Sequence, residues 1–147
     1  MQRFESFVGG ITELYRLIQR IKNTEMAPLG LAGRHVMCLS YLGSRSEGLT
    51  AGELCALCGE DKAAVSRTAA DLERRGLIQR SGSYRATLRL TQTGRDMAGQ
   101  VAELSRGAVE FGGAGLTDSQ RETFYEAMDI ISANLRAFCA REEARTR

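Results

Sequence analysis

The sequence predicts a mainly α-helical domain with one small β-hairpin. Three observations carry that expectation. Apolar residues recur three and four apart through most of the 147 residues, and a single proline, Pro28, interrupts them. Only the stretch around residues 86–91 alternates apolar and polar side chains as a half-buried strand does. Hydrophobic residues make up 43% and charged residues 26% of the chain, which suits one soluble domain spanning 1–147.

The first helix is expected over Phe4 to Lys22, where Phe4, Phe7, Val8, Ile11, Leu14, Tyr15, Ile18 and Ile21 share one face. Such a stripe at a terminus needs a cover, and a partner chain is a plausible one. Asn23 to Gly33, with Pro28, Gly30 and Gly33, reads as a connection. A second helix follows from Arg34 to Leu42, stopped by Gly43. Thr50 and Glu53 have capping-box spacing and open a third helix, with Leu54, Leu57 and Cys58 inward and Gly59 at its exit. Asp61 caps a fourth helix whose buried stripe is Val65, Thr68, Ala69 and Leu72; Gly76 closes it.

Leu77 to Arg80 and Ala86 to Thr91 form the two strands of the hairpin, with the turn at Ser81-Gly82-Ser83-Tyr84-Arg85. A fifth helix runs from Thr91 to Phe111, striped by Met97, Val101, Leu104, Ala108 and Phe111. Gly112, Gly113 and Gly115 break it. Thr117 and Gln120 repeat the capping-box spacing and start a sixth helix to Arg141, striped by Phe124, Met128, Ile131, Leu135 and Phe138. The charged tail from Arg141 to Arg147 is expected to fray.

Charge is unevenly placed. Between Lys62 and Arg95 there are eight basic residues (Lys62, Arg67, Arg74, Arg75, Arg80, Arg85, Arg89, Arg95) against Asp71 and Glu73, a net +6. The whole chain is +2, so the remainder carries −4. A basic middle between mildly acidic ends points to a polyanionic partner. Arg74 and Arg75 also have acids at helical-neighbour spacing, and one of them can pair locally with Asp71 or Glu73.

Helix, tight turn, basic amphipathic helix and basic hairpin together make a winged helix-turn-helix over residues 34–95. A helix of that kind fits the major groove of duplex DNA, with its N-terminal residues at base edges. Ala63, Ala64 and Ser66 let that end approach closely, and Lys62 and Arg67 can donate to phosphate or guanine acceptors. Arg80, Tyr84, Arg85 and Arg89 on the hairpin can lie along the backbone or minor groove, and Thr50 completes the candidate DNA-binding set.

Leu49-Thr50-Ala51-Gly52-Glu53-Leu54, Asp61-Lys62-Ala63-Ala64-Val65-Ser66-Arg67, Asp71-Leu72-Glu73-Arg74-Arg75-Gly76-Leu77-Ile78 and Leu90-Thr91-Gln92-Thr93-Gly94-Arg95 follow one another in the order and spacing of a known pattern. In these segments the chain resembles the MarR family of winged helix-turn-helix transcriptional regulators. The resemblance implies a homodimer built from helices at 4–22 and 96–141. Each protomer would present its fourth helix to half of a pseudo-palindromic operator, with half-sites about one DNA turn, roughly 34–36 Å, apart. It implies a regulator, expected to act as a repressor, released by a small-molecule effector in a pocket for which Tyr15, His35 and Met37 are candidates. The hairpin departs from the family pattern: an Asp-x-Arg pair is absent from Ser81-Gly82-Ser83-Tyr84-Arg85, so backbone contact by Tyr84 and Arg85 is expected rather than deep minor-groove insertion.

Other readings stand beside this one. Cys55 and Cys58 form a C-x-x-C, which in a loop would be half a zinc site; inside a helix, with His35 and Cys38 as the only other pair, buried structural thiols are expected. A thiol- or metal-sensing regulator using Cys55 and Cys58 stands as an alternative, as does a winged helix used as a protein-interaction module. One histidine, no glycine-rich phosphate loop after a strand and no paired carboxylates in a plausible cleft argue against an enzyme, and no metal or cofactor is expected. No apolar run reaches the roughly 18 residues of a membrane span and no signal peptide is read, so a cytoplasmic protein is expected.

Overall fold

A computed structural model describes residues 2–82 and 86–145 and divides the chain into two compact units, Met1–Ala108 and Val109–Arg147. The first unit holds α1 (Gln2–Met26), a short 3-10 turn (Ala27–Leu29), α2 (Gly33–Gly43), β1 (Leu49–Thr50), α3 (Ala51–Cys58), α4 (Lys62–Arg74), β2 (Ile78–Ser81), β3 (Thr87–Leu90) and most of α5 (Gln92–Gly112). The second holds the end of α5 and α6 (Asp118–Arg145). The expected fold class, mainly helical with a small β wing, is what the chain adopts. No helix among the described residues is long and apolar enough to cross a membrane.

Boundaries differ where tertiary contacts override local signals. Helix α1 runs on to Met26 because that side chain is buried in the core. The sheet has three strands rather than two, in the order β1-β3-β2 and antiparallel throughout, with Leu49 opposite Leu88 and Ile78 opposite Leu90. Two residues are too few for β1 to show alternation in sequence. The tail does not fray where expected: α6 continues to Arg145, whose guanidinium meets Glu142 at 3.1 Å.

Every helix and strand of the first unit contributes to its core. Leu39 of α2, Leu54 of α3, Val65 and Leu72 of α4, Leu88 of β3 and Val101 of α5 are all closed to solvent. Each such side chain contributes about 1.5–3 kcal/mol by leaving water. The capping signals act as expected: the Glu53 carboxylate accepts from the Thr50 amide at 2.7 Å while the Thr50 hydroxyl accepts from the Glu53 amide at 3.3 Å. In the second unit the Gln120 side-chain oxygen accepts from the Thr117 amide at 2.9 Å, and Arg121 donates to the Gly113 carbonyl at 2.7 Å.

The exit from the hairpin into α5 explains the Leu90-Thr91-Gln92-Thr93-Gly94-Arg95 segment. The Thr91 hydroxyl accepts from the Gly94 amide at 3.0 Å and donates to the Gly76 carbonyl at 2.7 Å, so it both caps α5 and ties it to the chain leaving α4. The Thr91 amide donates to the Leu77 carbonyl at 3.0 Å. Arg95 donates back to the Leu90 carbonyl at 3.1 Å. Gly94 lies so close to the Leu77 carbonyl that a Cβ there would overlap the oxygen.

A polar cluster fastens α4 to the connection between α1 and α2. Asp71 of α4 is only 6% exposed, and His35 of α2 is fully buried. The His35 Nδ1 accepts from the Ala32 amide at 3.0 Å, so the ring proton sits on Nε2, which stands 2.8 Å from Asp71 Oδ2. Arg34 and Arg75 reach the same oxygen at 3.3 Å, and Arg74 pairs with Oδ1. Arg75 also donates to the Gly30 carbonyl at 2.6 Å. Burial acts to raise the Asp71 pKa, but the Arg75 hydrogen bond and charge, helped by His35, hold it below the usual carboxylate value. Burial, with the charge of Arg34, pushes the His35 pKa down against the pull of Asp71. The ring is therefore a neutral strut, and a second proton on Nδ1 would break its bond to Ala32.

Two expectations follow from these contacts. Gly94→Ala lowers stability by about 2–3 kcal/mol, the upper part of the overpacking range. Gly99→Ala, in open space on the same helix, adds about 0.5–1 kcal/mol from helix propensity. Thermal melts of both variants check this; equal effects would remove the steric account. Because His35 is the only histidine and its folded pKa is depressed, the unfolded chain binds a proton that the folded chain refuses. Stability is thus full above about pH 6.5 and declines as pH falls below it. Urea titrations between pH 7.5 and 5.5 should show that decline in the wild type and not in His35→Gln, and parallel profiles would contradict it.

Candidate nucleic-acid interface

The helix-turn-helix is set by a three-residue link. Gly59 takes the left-handed conformation (φ +65°) that ends α3 and donates to the Cys55 carbonyl at 3.0 Å. Asp61 then caps α4, its carboxylate accepting from the Ala64 amide at 2.8 Å. Burial of Val65, Thr68, Ala69, Asp71 and Leu72 fixes the rotation of α4 about its axis. That rotation leaves Lys62, Ala63, Ser66 and Arg67 exposed on one face at its N-terminal end. The small side chains at 63 and 66 keep the face shallow, and the cations at 62 and 67 flank it.

Two grooves border this face. One, of about 800 Å³, is lined by Thr50, Glu53, Cys55, Lys62, Arg80 and Ala86 and so lies between α3, the start of α4 and the hairpin. The other, of about 370 Å³, is lined by Arg34, Glu60, Ala64, Arg67 and Thr68 between α2 and α4. The structure thus brings Thr50, Lys62 and Arg80 together and places Arg67 in the second groove with Arg34. Arg34 was not among the sequence candidates. It stands at the start of α2, far from the basic stretch in sequence, and only the packing of α2 on α4 brings it there.

The remaining candidates divide. The Thr50 hydroxyl is engaged with Glu53 in the cap, donating to its carboxylate at 2.7 Å. That bond and the backbone amide of Thr50 hold the Glu53 pKa below its usual value. Arg80 pairs with Glu73 at 3.5 Å while remaining exposed. Arg89 donates through Nε to the Glu47 carbonyl at 2.7 Å, tying β3 to the loop before β1. Tyr84 and Arg85 lie outside the described residues. Both arginines at the end of α4 turn to Asp71, where the sequence suggested that one would pair locally.

The effector candidates sit in three different settings. Tyr15 is exposed on α1, Met37 packs at the edge of the core and His35 is sealed between Ala32 and Asp71. None of the three lines either groove. His35 has a structural post that the sequence could not distinguish from a ligand-facing one.

Among curated proteins no sequence matches the chain significantly. The sequence model of the MarR family matches residues 29–85, from the end of the 3-10 turn to beyond β2. Solved structures match over nearly the whole chain. A MarR transcriptional regulator from Methanosarcina mazei superposes with a TM-score of 0.80 at 21% identity, covering 91% of this chain and 92% of its own. A MarR family regulator from Listeria monocytogenes complexed with 26mer DNA gives 0.78 at 21% identity, covering 87% of each chain. CouR from Rhodococcus jostii, bound to p-coumaroyl-CoA, gives 0.75 at 20% identity, covering 82% of this chain and 87% of its own. At such identities these likenesses establish a shared fold. The family match lies over the helix-turn-helix, and the likeness of fold to solved MarR regulators extends over nearly the whole chain.

Proposed function

We propose that the chain is a sequence-specific DNA-binding transcriptional regulator, a repressor that binds a pseudo-palindromic operator as a homodimer. The observation that carries this reading is the N-terminal face of α4, where Lys62, Ala63, Ser66 and Arg67 are exposed on a helix whose other side is locked into the core. Helix N-termini of this form reach base edges in the major groove. Arg34 and Arg80 extend the cationic surface to either side of α4 through the two grooves and are suited to phosphates. The DNA-bound Listeria relative supports the same assignment.

Dimerisation is supported by apolar surface that one chain leaves in water. On α1, Phe4, Phe7, Val8, Ile11, Leu14, Ile18 and Ile21 are exposed; on α6, Phe124, Met128, Ile131, Leu135 and Phe138 are exposed. Contiguous apolar faces of this extent mark association sites. A second copy covers them in this reading, and two copies of α4 then address two half-sites. Release by a small molecule is part of the same reading. It rests on the ligand-bound relative CouR and not on Tyr15, His35 and Met37 as a set.

The test is binding of the purified protein to the DNA upstream of its own gene and to fragments selected from the genome, across a salt series. Arg67→Ala is expected to weaken specific binding by about 1–3 kcal/mol. Lys62→Ala should weaken all duplexes alike and reduce the slope of log K against log salt by about 1. Binding by folded Arg67→Ala as tight as wild type would remove α4 as the reading helix. Ile11→Glu with Leu14→Glu should convert a dimer to a monomer by light scattering and lower operator affinity; an unchanged mass would place the interface elsewhere.

A further inference from the structure

The cysteine pair that the fold assembles is not the C-x-x-C of the sequence. Cys38 of α2 is buried, and its Sγ stands 3.9 Å from the Sγ of Cys58, the last residue of α3. Cys55 instead lines the groove shared with Lys62 and Arg80. All four cysteines are free thiols. Closing the Cys38–Cys58 gap by about 2 Å would bring the sulfurs to the disulfide bond length of roughly 2.05 Å. Cys58 is half-buried and so is reached from solvent, while Cys38 waits behind it.

We propose that Cys38 and Cys58 are an oxidation site, joined by a hydroperoxide into a disulfide that pins the end of α3 to α2 and shifts the DNA-facing end of α4. The chemistry balances in two steps. The Cys58 sulfur attacks one peroxide oxygen, the O–O bond breaks, and the leaving alkoxide or hydroxide takes the thiol proton. This leaves Cys58 as a sulfenic acid and the peroxide reduced to an alcohol or water. The Cys38 sulfur then attacks the Cys58 sulfur, and the departing hydroxide takes the Cys38 proton as water. Burial pushes the Cys38 thiol up to about 12 and raises that of Cys58, so both are protonated at neutral pH and oxidation should accelerate as pH rises.

The mechanical consequence comes from position. Only Gly59, Glu60 and Asp61 separate Cys58 from Lys62, and Gly59 and Asp61 are the end of one helix and the cap of the next. A displacement at Cys58 therefore acts on the link that aims α4. The regulatory meaning rests on the DNA-binding reading; the disulfide does not.

The experiment treats the full chain carrying Cys139→Ser, which removes the exposed thiol, with hydrogen peroxide and maps the tryptic peptides without reduction. The expected product is peptide 35–45 joined to peptide 46–62. The link should persist in Cys55→Ser and vanish in Cys58→Ser, with Cys38→Ala, checked for folding by circular dichroism, as the second variant. Amide exchange of residues 59–66 should change on oxidation and recover with dithiothreitol. Operator affinity should fall at least about tenfold in the same cycle, the size of a modest allosteric coupling. A Cys55–Cys58 link, or sulfinic acid at Cys58 with Cys38 still a thiol, would overturn the proposal. If the reduced protein bound no DNA, the regulator reading would fail while the peptide map still decided the disulfide.

Discussion

The carboxylate of Asp71 is the constraint on which the placement of α4 depends. It is buried in the second half of α4, and a buried charge is tolerated only where it is paired and hydrogen-bonded. Here the partners come from two directions. Arg74 and Arg75 are on its own helix, one and the same turn away, while Arg34 and His35 belong to α2. Arg75 reaches on to the Gly30 carbonyl in the connection from α1. The cluster therefore fixes both the rotation of α4 and its attachment to the segment that leads from α1. Apolar packing of Val65, Ala69 and Leu72 would hold α4 in the core but leaves the angle of its polar end less defined. Directional bonds to one carboxylate supply that definition.

The opposite end of α4 gains freedom to act from the same arrangement. With the stripe packed inward, Lys62 and Arg67 are the exposed cations of the N-terminal end, while Arg34 and Arg80, paired with Asp71 and Glu73, stand at the groove edges. The net +6 of the Lys62–Arg95 stretch overstates the cations available to a polyanion. Arg74 and Arg75 serve the fold, Arg89 braces the loop before β1, and Arg95 holds the Leu90 carbonyl. Charge counted along a sequence and charge presented on a surface are different quantities, and the hydrogen bonds separate them.

What was legible in the sequence was whatever is encoded locally. The caps at Thr50, Asp61 and Thr117 and the turn at Gly59 depend on residues within four of one another, and each stands where expected. Of the α3 residues expected inward, Leu54 is buried and Cys58 half-buried, but Leu57 is exposed, because it lies off the side of this short helix that meets the core. The face of α4 was legible for the same reason. What was hidden depends on contacts across tens of residues: the pairing of β1 with β3, the gathering of Arg34 beside Arg67, the burial of His35 against Asp71 and the meeting of Cys38 with Cys58. Asp71 carried one faint signal, since it follows Thr68 by three and so borders the buried stripe. The Cys55–Cys58 spacing is local and visible in the sequence, whereas the approach of Cys38 to Cys58 depends on how α2 packs on α3. The role of Gly94 is similar: the segment was recognisable as a pattern, and the reason for the glycine is the Leu77 carbonyl beneath it.

The central claim is that two copies of α4 read one duplex from a dimer. Hydroxyl-radical footprinting on a duplex selected by the protein tests it most directly. The account predicts an inverted repeat with two protected half-sites whose centres are about one helical turn, roughly 34–36 Å, apart. A single protected half-site, direct repeats, or uniform protection with no sequence preference would contradict it.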